Sequence, residues 1–295
     1  MDRPQTLGAS LYVPATHLKL QQVIASDFRS VIICTEDAVA EQEMDFALDN
    51  LRGVLAGLAQ RLHHQRFVRV RNPQVLQRVL AMPGVEQLTG FVLPKVTADN
   101  FPAYFALLRH STHLLMPTIE TAEAFDDTQM IRLRDCLLEP EVRPRILALR
   151  IGGNDLFALL GMRRPRNLSL YRTPLGLVIA RLVCCFGSHG FGLTAPAFEY
   201  LDNPALLAAE LAEDLAHGLV GKTAIHPTQI PLIEQHYRVT PNDVEVAQRM
   251  MDPGCPAVFK MHNAMCELAT HRAWAQGVME RAQVFGISQP GPLGA

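Results

Sequence analysis

The sequence predicts a (β/α)8 TIM barrel followed by additional C-terminal helices. Three observations carry that reading. Eight short apolar runs recur between residues 9 and 227, amphipathic stretches separate them, and polar residues gather at their C-terminal ends. Strands alternating with helical patterns build parallel βα units. Near-continuous apolar strands suit a parallel sheet buried on both faces, and eight such units make a barrel of about 250 residues. A doubly wound open sheet is the second architecture the same order allows.

The runs in order are ASLYVPA (9–15), SVIICTED (30–37), RFVRVRNP (66–73), GFVLPKV (90–96), HLLMPTIET (113–121), ILALRIGGND (146–155), FGLTAPAFE (191–199) and GKTAIHP (221–227). Helical patterns such as Glu41 to Leu62 and Pro174 to Phe186 lie between them. GSHGFG (187–192) leads into a strand instead of following one, so it reads as a turn and not as a dinucleotide loop. Residues 1–230 are assigned to the barrel and 231–295 to a helical extension, a lid or oligomerisation arm. PNDVEVAQRMM and NAMCELATHRAWAQGVMERAQVF are its helical parts, DPGCP is the break between them, and SQPGPLGA is a frayed tail.

Composition narrows the function. With 27 basic and 29 acidic residues the net charge is −2, and no basic stripe marks a nucleic-acid partner. Arg163-Arg164-Pro165-Arg166 is the densest basic cluster and reads as a solvated loop. The six cysteines form no CxxC pair, so neither a zinc site nor a disulfide scaffold is expected. Cys34, inside a strand, reads as an inert buried thiol. With no apolar signal core in MDRPQTLGAS and no run of about 18 apolar residues, a cytoplasmic protein without a membrane partner is expected.

In a barrel the chemistry sits at the C-terminal strand ends. Those ends carry Pro14, Glu36-Asp37, Lys95, Glu120, Gly152-Gly153-Asn154-Asp155 and His226, while the third strand carries Arg69 and Arg71 two residues apart. Glu120 and Asp155 are the best metal pair, since two hard carboxylates with waters and substrate oxygens suit octahedral Mg2+. The bland reading is that each caps a helix or pairs with Lys or Arg. The glycines before Asp155 would let backbone N–H groups approach a ligand carboxylate. Arg69 or Arg71 would face an oxyanion, or form an interior ion pair with Glu36 or Asp37. Lys95 would contact an anionic substrate or serve as an ion-pair partner. His226 is as well explained by structure as by a site.

The ordered set LYVPA, TEDAV, VRV, LPKV, PTIET, GGNDL and GKTAIHPTQI resembles the citrate lyase β-subunit-like family of the HpcH/HpaI aldolase superfamily. The resemblance implies a Mg2+-binding barrel that breaks or makes a C–C bond in an acyl-CoA or acyl-carrier thioester. By motif it implies Glu120 and Asp155 as metal ligands, Arg69 as the active-site arginine, and Glu36 and Asp37 as the EDAV carboxylates. It also implies a C-terminal acid donated by a neighbouring subunit, here Glu267 where Asp is usual, and hence a homo-oligomer, a trimer in the family. Cys34 stands where the family has aspartate, and the arginine usual before the first strand is absent near Ala9. Within the family, FVRVRNP and MCELATHRAWA look most like the citramalyl-CoA lyase branch of itaconate breakdown. A malyl-CoA lyase or thioesterase, a subunit of a carrier-protein complex, and a non-catalytic acyl-CoA-binding barrel are the alternatives.

Overall fold

The computed structural model describes residues 7–58 and 64–289. Eight parallel strands form one sheet: β1 (Gly8–Pro14), β2 (Ser30–Cys34), β3 (Gln65–Arg69), β4 (Gly90–Leu93), β5 (Leu114–Ile119), β6 (Leu149–Ile151), β7 (Leu193–Thr194) and β8 (Gly221–Ala224). Each of the eight expected runs contains a strand, although the run at 146–155 turns into the helix Gly153–Leu159. β7 is the shortest, with two residues. Their order runs from β7 back through β1 to β8, as a barrel requires. The ring closes where Ala195 N–H donates to the Gly221 carbonyl at 2.7 Å and Val220 N–H donates to the Leu193 carbonyl at 2.9 Å. β1 pairs with β8 from Gly8↔Gly221 to Leu11↔Ala224.

The barrel interior changes character along its axis. Ile32, Phe67, Val92, Met116 and Ala148, from successive strands or the residues just before them, pack into one apolar layer with Leu7 and Leu147. Two residues further along β2, β3, β5 and β6 come Cys34, Arg69, Thr118 and Arg150. The apolar layer fills the base with side chains, and what lies above it is polar.

β4 and β5 approach so closely at Gly90 that a Cβ there would sit 1.8 Å from the Leu114 carbonyl oxygen. Gly90→Ala should therefore break this pairing and cost about 3 kcal/mol or more. Gly53, in the helix Met44–Ala56, has nothing within 4 Å of its added Cβ. Urea unfolding should show Gly53→Ala neutral or stabilising. Equal midpoints for the two variants would refute the argument.

Some helical expectations shift. The stretch predicted from Glu41 is a helix over Met44–Ala56, and Leu62 lies outside the described residues, as does the tail from Pro290. The basic cluster at 163–166 is not wholly solvated. Arg164 is buried and pairs with Glu210, which also accepts from Lys222 Nζ at 2.9 Å. Lys222 reaches Asp214 at 2.9 Å as well, and Tyr171 donates to Asp214 at 2.6 Å. This balanced network fastens β8 to the helix Pro204–Ala216.

The chain divides into two compact units, Met1–Ile230 and Pro231–Ala295. The second is mostly helical, with the helices Pro241–Met251 and Leu268–Phe285. It also contains a hairpin absent from the sequence reading, β9 (Val258–Met261) paired antiparallel with β10 (Ala264–Glu267). Among the described residues no helix is long and apolar enough to cross a membrane.

Candidate active site

A cavity of about 240 Å3 opens at the C-terminal ends of the strands, lined among others by Glu36, Asp37, Arg69, Glu120, Gly152, Gly153, Asn154 and Asp155. Glu36, Asp37, Arg69 and Glu120 are delivered by strand ends, and Gly153, Asn154 and Asp155 by the first turn of the helix Gly153–Leu159 that follows β6. Thr35 N–H and its hydroxyl both donate to the Arg69 carbonyl at 2.9 Å, tying the end of β2 to that of β3 and setting Glu36 beside Arg69. Arg69 Nη2 then lies 2.7 Å from Glu36 Oε2 and donates to Glu120 Oε1 at 2.9 Å. Burial works against the Arg69 cation, but Tyr12, Glu120 and Glu36 outweigh it and hold its pKa above the ordinary arginine range.

The loop after β4 completes the cluster. Lys95 adopts a left-handed backbone, φ +50°, rare for a residue with a side chain. In that conformation its N–H donates to Glu120 Oε1 at 2.9 Å. Its ammonium contacts Glu36 Oε1, with Asp37 Oδ2 at 3.2 Å and Asp155 Oδ1 at 3.8 Å. Burial lowers the lysine pKa, while Glu36 and Asp37 raise it more, so the net shift is upward and the amine stays charged.

Glu120 is left half satisfied. Oε1 takes both bonds just named, whereas Oε2 is buried without a hydrogen-bond partner. It lies against Gly152, where an added Cβ would be 2.2 Å away. Burial pushes the Glu120 carboxyl up to about 7, Arg69 opposing and Asp155 reinforcing the rise. An orphaned carboxylate oxygen with a second carboxylate close by suits a hard divalent cation, which replaces the missing partner and favours the ionised form. Among the described residues no three His, Cys, Asp or Glu side chains converge enough to hold an ion alone. Water or substrate oxygens would fill the remaining positions, as Mg2+ commonly requires.

Three expectations are corrected. Arg71 lies beyond β3, where strand alternation no longer aligns it with Arg69. Its guanidinium donates to the carbonyls of Glu36, at 3.1 Å, and Val39, so it clamps the β2 loop instead of meeting substrate. Pro14 is not a lining residue; Tyr12 on the same strand is. The Gly152 N–H is engaged by the Ile119 carbonyl at 3.0 Å, so that amide does not face a ligand. Gly152 instead makes room for Glu120, and a Cβ on Gly153 would lie 2.8 Å from Pro196 Cβ. Lys95 takes the ion-pair role that the sequence left open beside a substrate contact. His226 is an exposed helix cap whose Nδ1 accepts from Thr228 N–H at 3.3 Å. Glu267 ends β10 in the second unit, its N–H donating to His271 Nδ1 at 3.2 Å.

Sequence reasoning missed Tyr12, Thr118, Arg150 and Thr223, all of which line the cavity. A signal existed: Thr118 precedes Glu120 by two residues, and Arg150 precedes Gly152 by two, so each shares a strand face with its successor. Cys34 also lines the cavity, and burial pushes its thiol pKa up, which keeps it protonated.

Comparison with known proteins agrees with the fold. The model of the family described as C–C bond lyase of the TIM-barrel fold matches residues 1–287. The mitochondrial citramalyl-CoA lyase of Homo sapiens is 25% identical over 281 residues, covering 87% of this chain and 77% of that protein. A (3S)-malyl-CoA thioesterase of Cereibacter sphaeroides is 27% identical over 248 residues, covering 82% and 80%. CitE from Mycobacterium tuberculosis, solved in complex with magnesium, acetoacetate and coenzyme A, superposes with a TM-score of 0.71 at 20% identity over 95% of this chain and 99% of that one.

Proposed function

Since this chain belongs to the C–C bond lyase family of the TIM-barrel fold and is a carbon–carbon lyase, we propose that it acts on a CoA thioester, is Mg2+-dependent and cleaves a 3-hydroxy-3-carboxyacyl-CoA. The leading substrate is (S)-citramalyl-CoA, giving acetyl-CoA and pyruvate. One observation carries this reading: the unpartnered Oε2 of Glu120, buried in a cavity it shares with Asp155. The named activities of the human and Cereibacter relatives and the magnesium and coenzyme A in the CitE complex support it.

Glu120 and Asp155 are the residues that would hold the ion. When bound, Mg2+ would supply a Lewis acid that acidifies the substrate hydroxyl. Loss of that proton lets the C–C bond break, leaving a 2-oxo acid and the enolate of the thioester, which takes up a proton. Arg69, fixed in orientation by Glu36 and Glu120, would stabilise the enolate oxygen. Glu36 and Asp37 hold Lys95 and Arg69 in place. Glu267, supplied by a second copy in a homotrimer, would carry the proton.

The test is release of acetyl-CoA and pyruvate from (S)-citramalyl-CoA, with malyl-CoA in parallel and EDTA as control. EDTA-sensitive cleavage that disappears in Asp155→Ala supports the reading. Free acid and CoA as products would mark a thioesterase. Turnover only on a carrier-protein thioester would mark a subunit of a larger complex, and metal binding without turnover a non-catalytic barrel.

Metal binding should also depend on pH. The folded-state pKa of Glu120, about 7, lies above the 4.5 of a free glutamate. Without metal, its contribution to stability is therefore present at low pH and lost as pH rises through that window. Mg2+ must displace the proton, so the gain in Tm on adding Mg2+ should grow from about pH 5.5 to about pH 8. A gain independent of pH would rule out Glu120 as a ligand.

A further inference from the structure

Two arginines of the barrel are almost fully buried, and they are satisfied differently. Arg66, 1% exposed, donates to the carbonyls of Ile24, Ser26, Phe28 and Gln65 at 2.7–3.0 Å. Arg150, 2% exposed, donates from Nη2 to the Thr223 hydroxyl at 2.6 Å and from Nη1 to Met116 Sδ at 3.8 Å. Its guanidinium carbon lies 5.3 Å from the centroid of the Tyr12 ring. A hydroxyl, a thioether and a ring face do not neutralise a cation. The other buried cations lining the barrel or flanking β8 have carboxylates: Arg69 has Glu36 and Glu120, while Arg164 and Lys222 share Glu210. Among the described residues none of the ion pairs involves Arg150. A buried charge without a counterion is costly and calls for one.

The neighbouring side chain points to the same conclusion. Thr118 stands beside Arg150 in the β5–β6 register, is 2% exposed, and its hydroxyl is without a partner. Thr118, Arg150, Thr223 and Tyr12 line the cavity that holds Glu120 and Asp155. Thr118 and Arg150 precede Glu120 and Gly152 by two residues, which sets their backbone roughly 6–7 Å deeper along the strands.

We propose that Arg150, with the hydroxyls of Thr118 and Thr223, forms a carboxylate seat on the cavity floor that orients the oxo-acid half of the substrate. This rests on the cavity being the active site for an acid thioester. The carboxylate is either the one borne by the carbinol carbon or a second acid group on the same half. In both cases the acid end lies innermost and the thioester points towards the mouth.

Direct binding tests the seat without requiring turnover. The full-length protein in MgCl2 is titrated with lactate, malate and the neutral lactamide, by calorimetry or NMR, alongside Arg150→Met and Arg150→Lys. Arg150→Met should weaken acid binding roughly 10- to 100-fold, the scale of a lost charge-assisted hydrogen bond, and leave lactamide unchanged. Arg150→Lys should fall between. Loss for both acids assigns the seat to the carboxylate of the carbinol carbon, and loss for malate alone to a second acid group. Retained acid affinity in Arg150→Met, an equal loss for lactamide, or no acid binding to the wild type would each overturn the proposal. If Arg150→Met does not fold, Thr223→Val takes its place: a several-fold loss confined to the acids supports the seat, and unchanged affinities overturn it. Charge-selective binding without turnover of any thioester would remove the lyase substrate reading and leave the seat standing.

Discussion

Arg69→Ala should lower kcat/KM on the CoA ester by about 100- to 1000-fold, the cost of removing one preorganised donor from a developing oxyanion. It should also destabilise the protein by about 3–5 kcal/mol, because buried Glu36 and Glu120 would lose the cation between them. The two effects can be separated. Arg69→Lys keeps the charge but lacks the planar fork that reaches both carboxylates. It should recover most of the stability while its turnover stays low. Steady-state kinetics and thermal unfolding on the three proteins decide the matter. If Arg69→Ala stays within about fivefold of wild type, the arginine is an ion-pair residue only.

Gly152→Ala should have the second large effect, by a different route. The backbone at Gly152, φ −87° and ψ 81°, is open to alanine, so the cost is steric and not conformational. The obstruction is Glu120 itself, with its Oε2 at 2.2 Å and its Cβ at 2.5 Å from the added methyl. The carboxylate can swing aside, but the Cβ is fixed to the β5 backbone, so the ends of β5 and β6 must also part, and Glu120 is displaced from beside Asp155. Mg2+ affinity and turnover should both drop by about 100-fold, and the Tm of the metal-free protein should fall too, because the strand ends must move apart. Calorimetric titration with Mg2+ gives the answer; wild-type affinity in Gly152→Ala would show that Glu120 is not a ligand.

The residues at strand ends were legible because chain order and the barrel rule place them on one rim. Arg69, Glu120 and Asp155 do share a cavity. Residues inside the strands were not. Arg150 sits in the apolar run LALRI, and nothing local says that its counterion is absent, because that depends on what the other strands bring. Arg164 was misplaced for the same reason, as its partner Glu210 lies 46 positions along the chain. The β9–β10 hairpin escaped because AMCE runs into the helical pattern of LATHRAWA. His262 and Asn263, both at positive φ, form its two-residue turn, and asparagine at such a position was the available clue.

Closure of the ring has a consequence during synthesis. β1 finds its second neighbour only when residues 221–224 arrive, more than two hundred positions later. At about 5–20 residues per second, the outer edge of β1 waits roughly 10–40 seconds on the ribosome with its hydrogen-bonding groups unpaired. An exposed strand edge that apolar recruits other chains. The yield of soluble protein should therefore follow the pace of translation and the supply of chaperones, even when the finished barrel leaves no edge to attack.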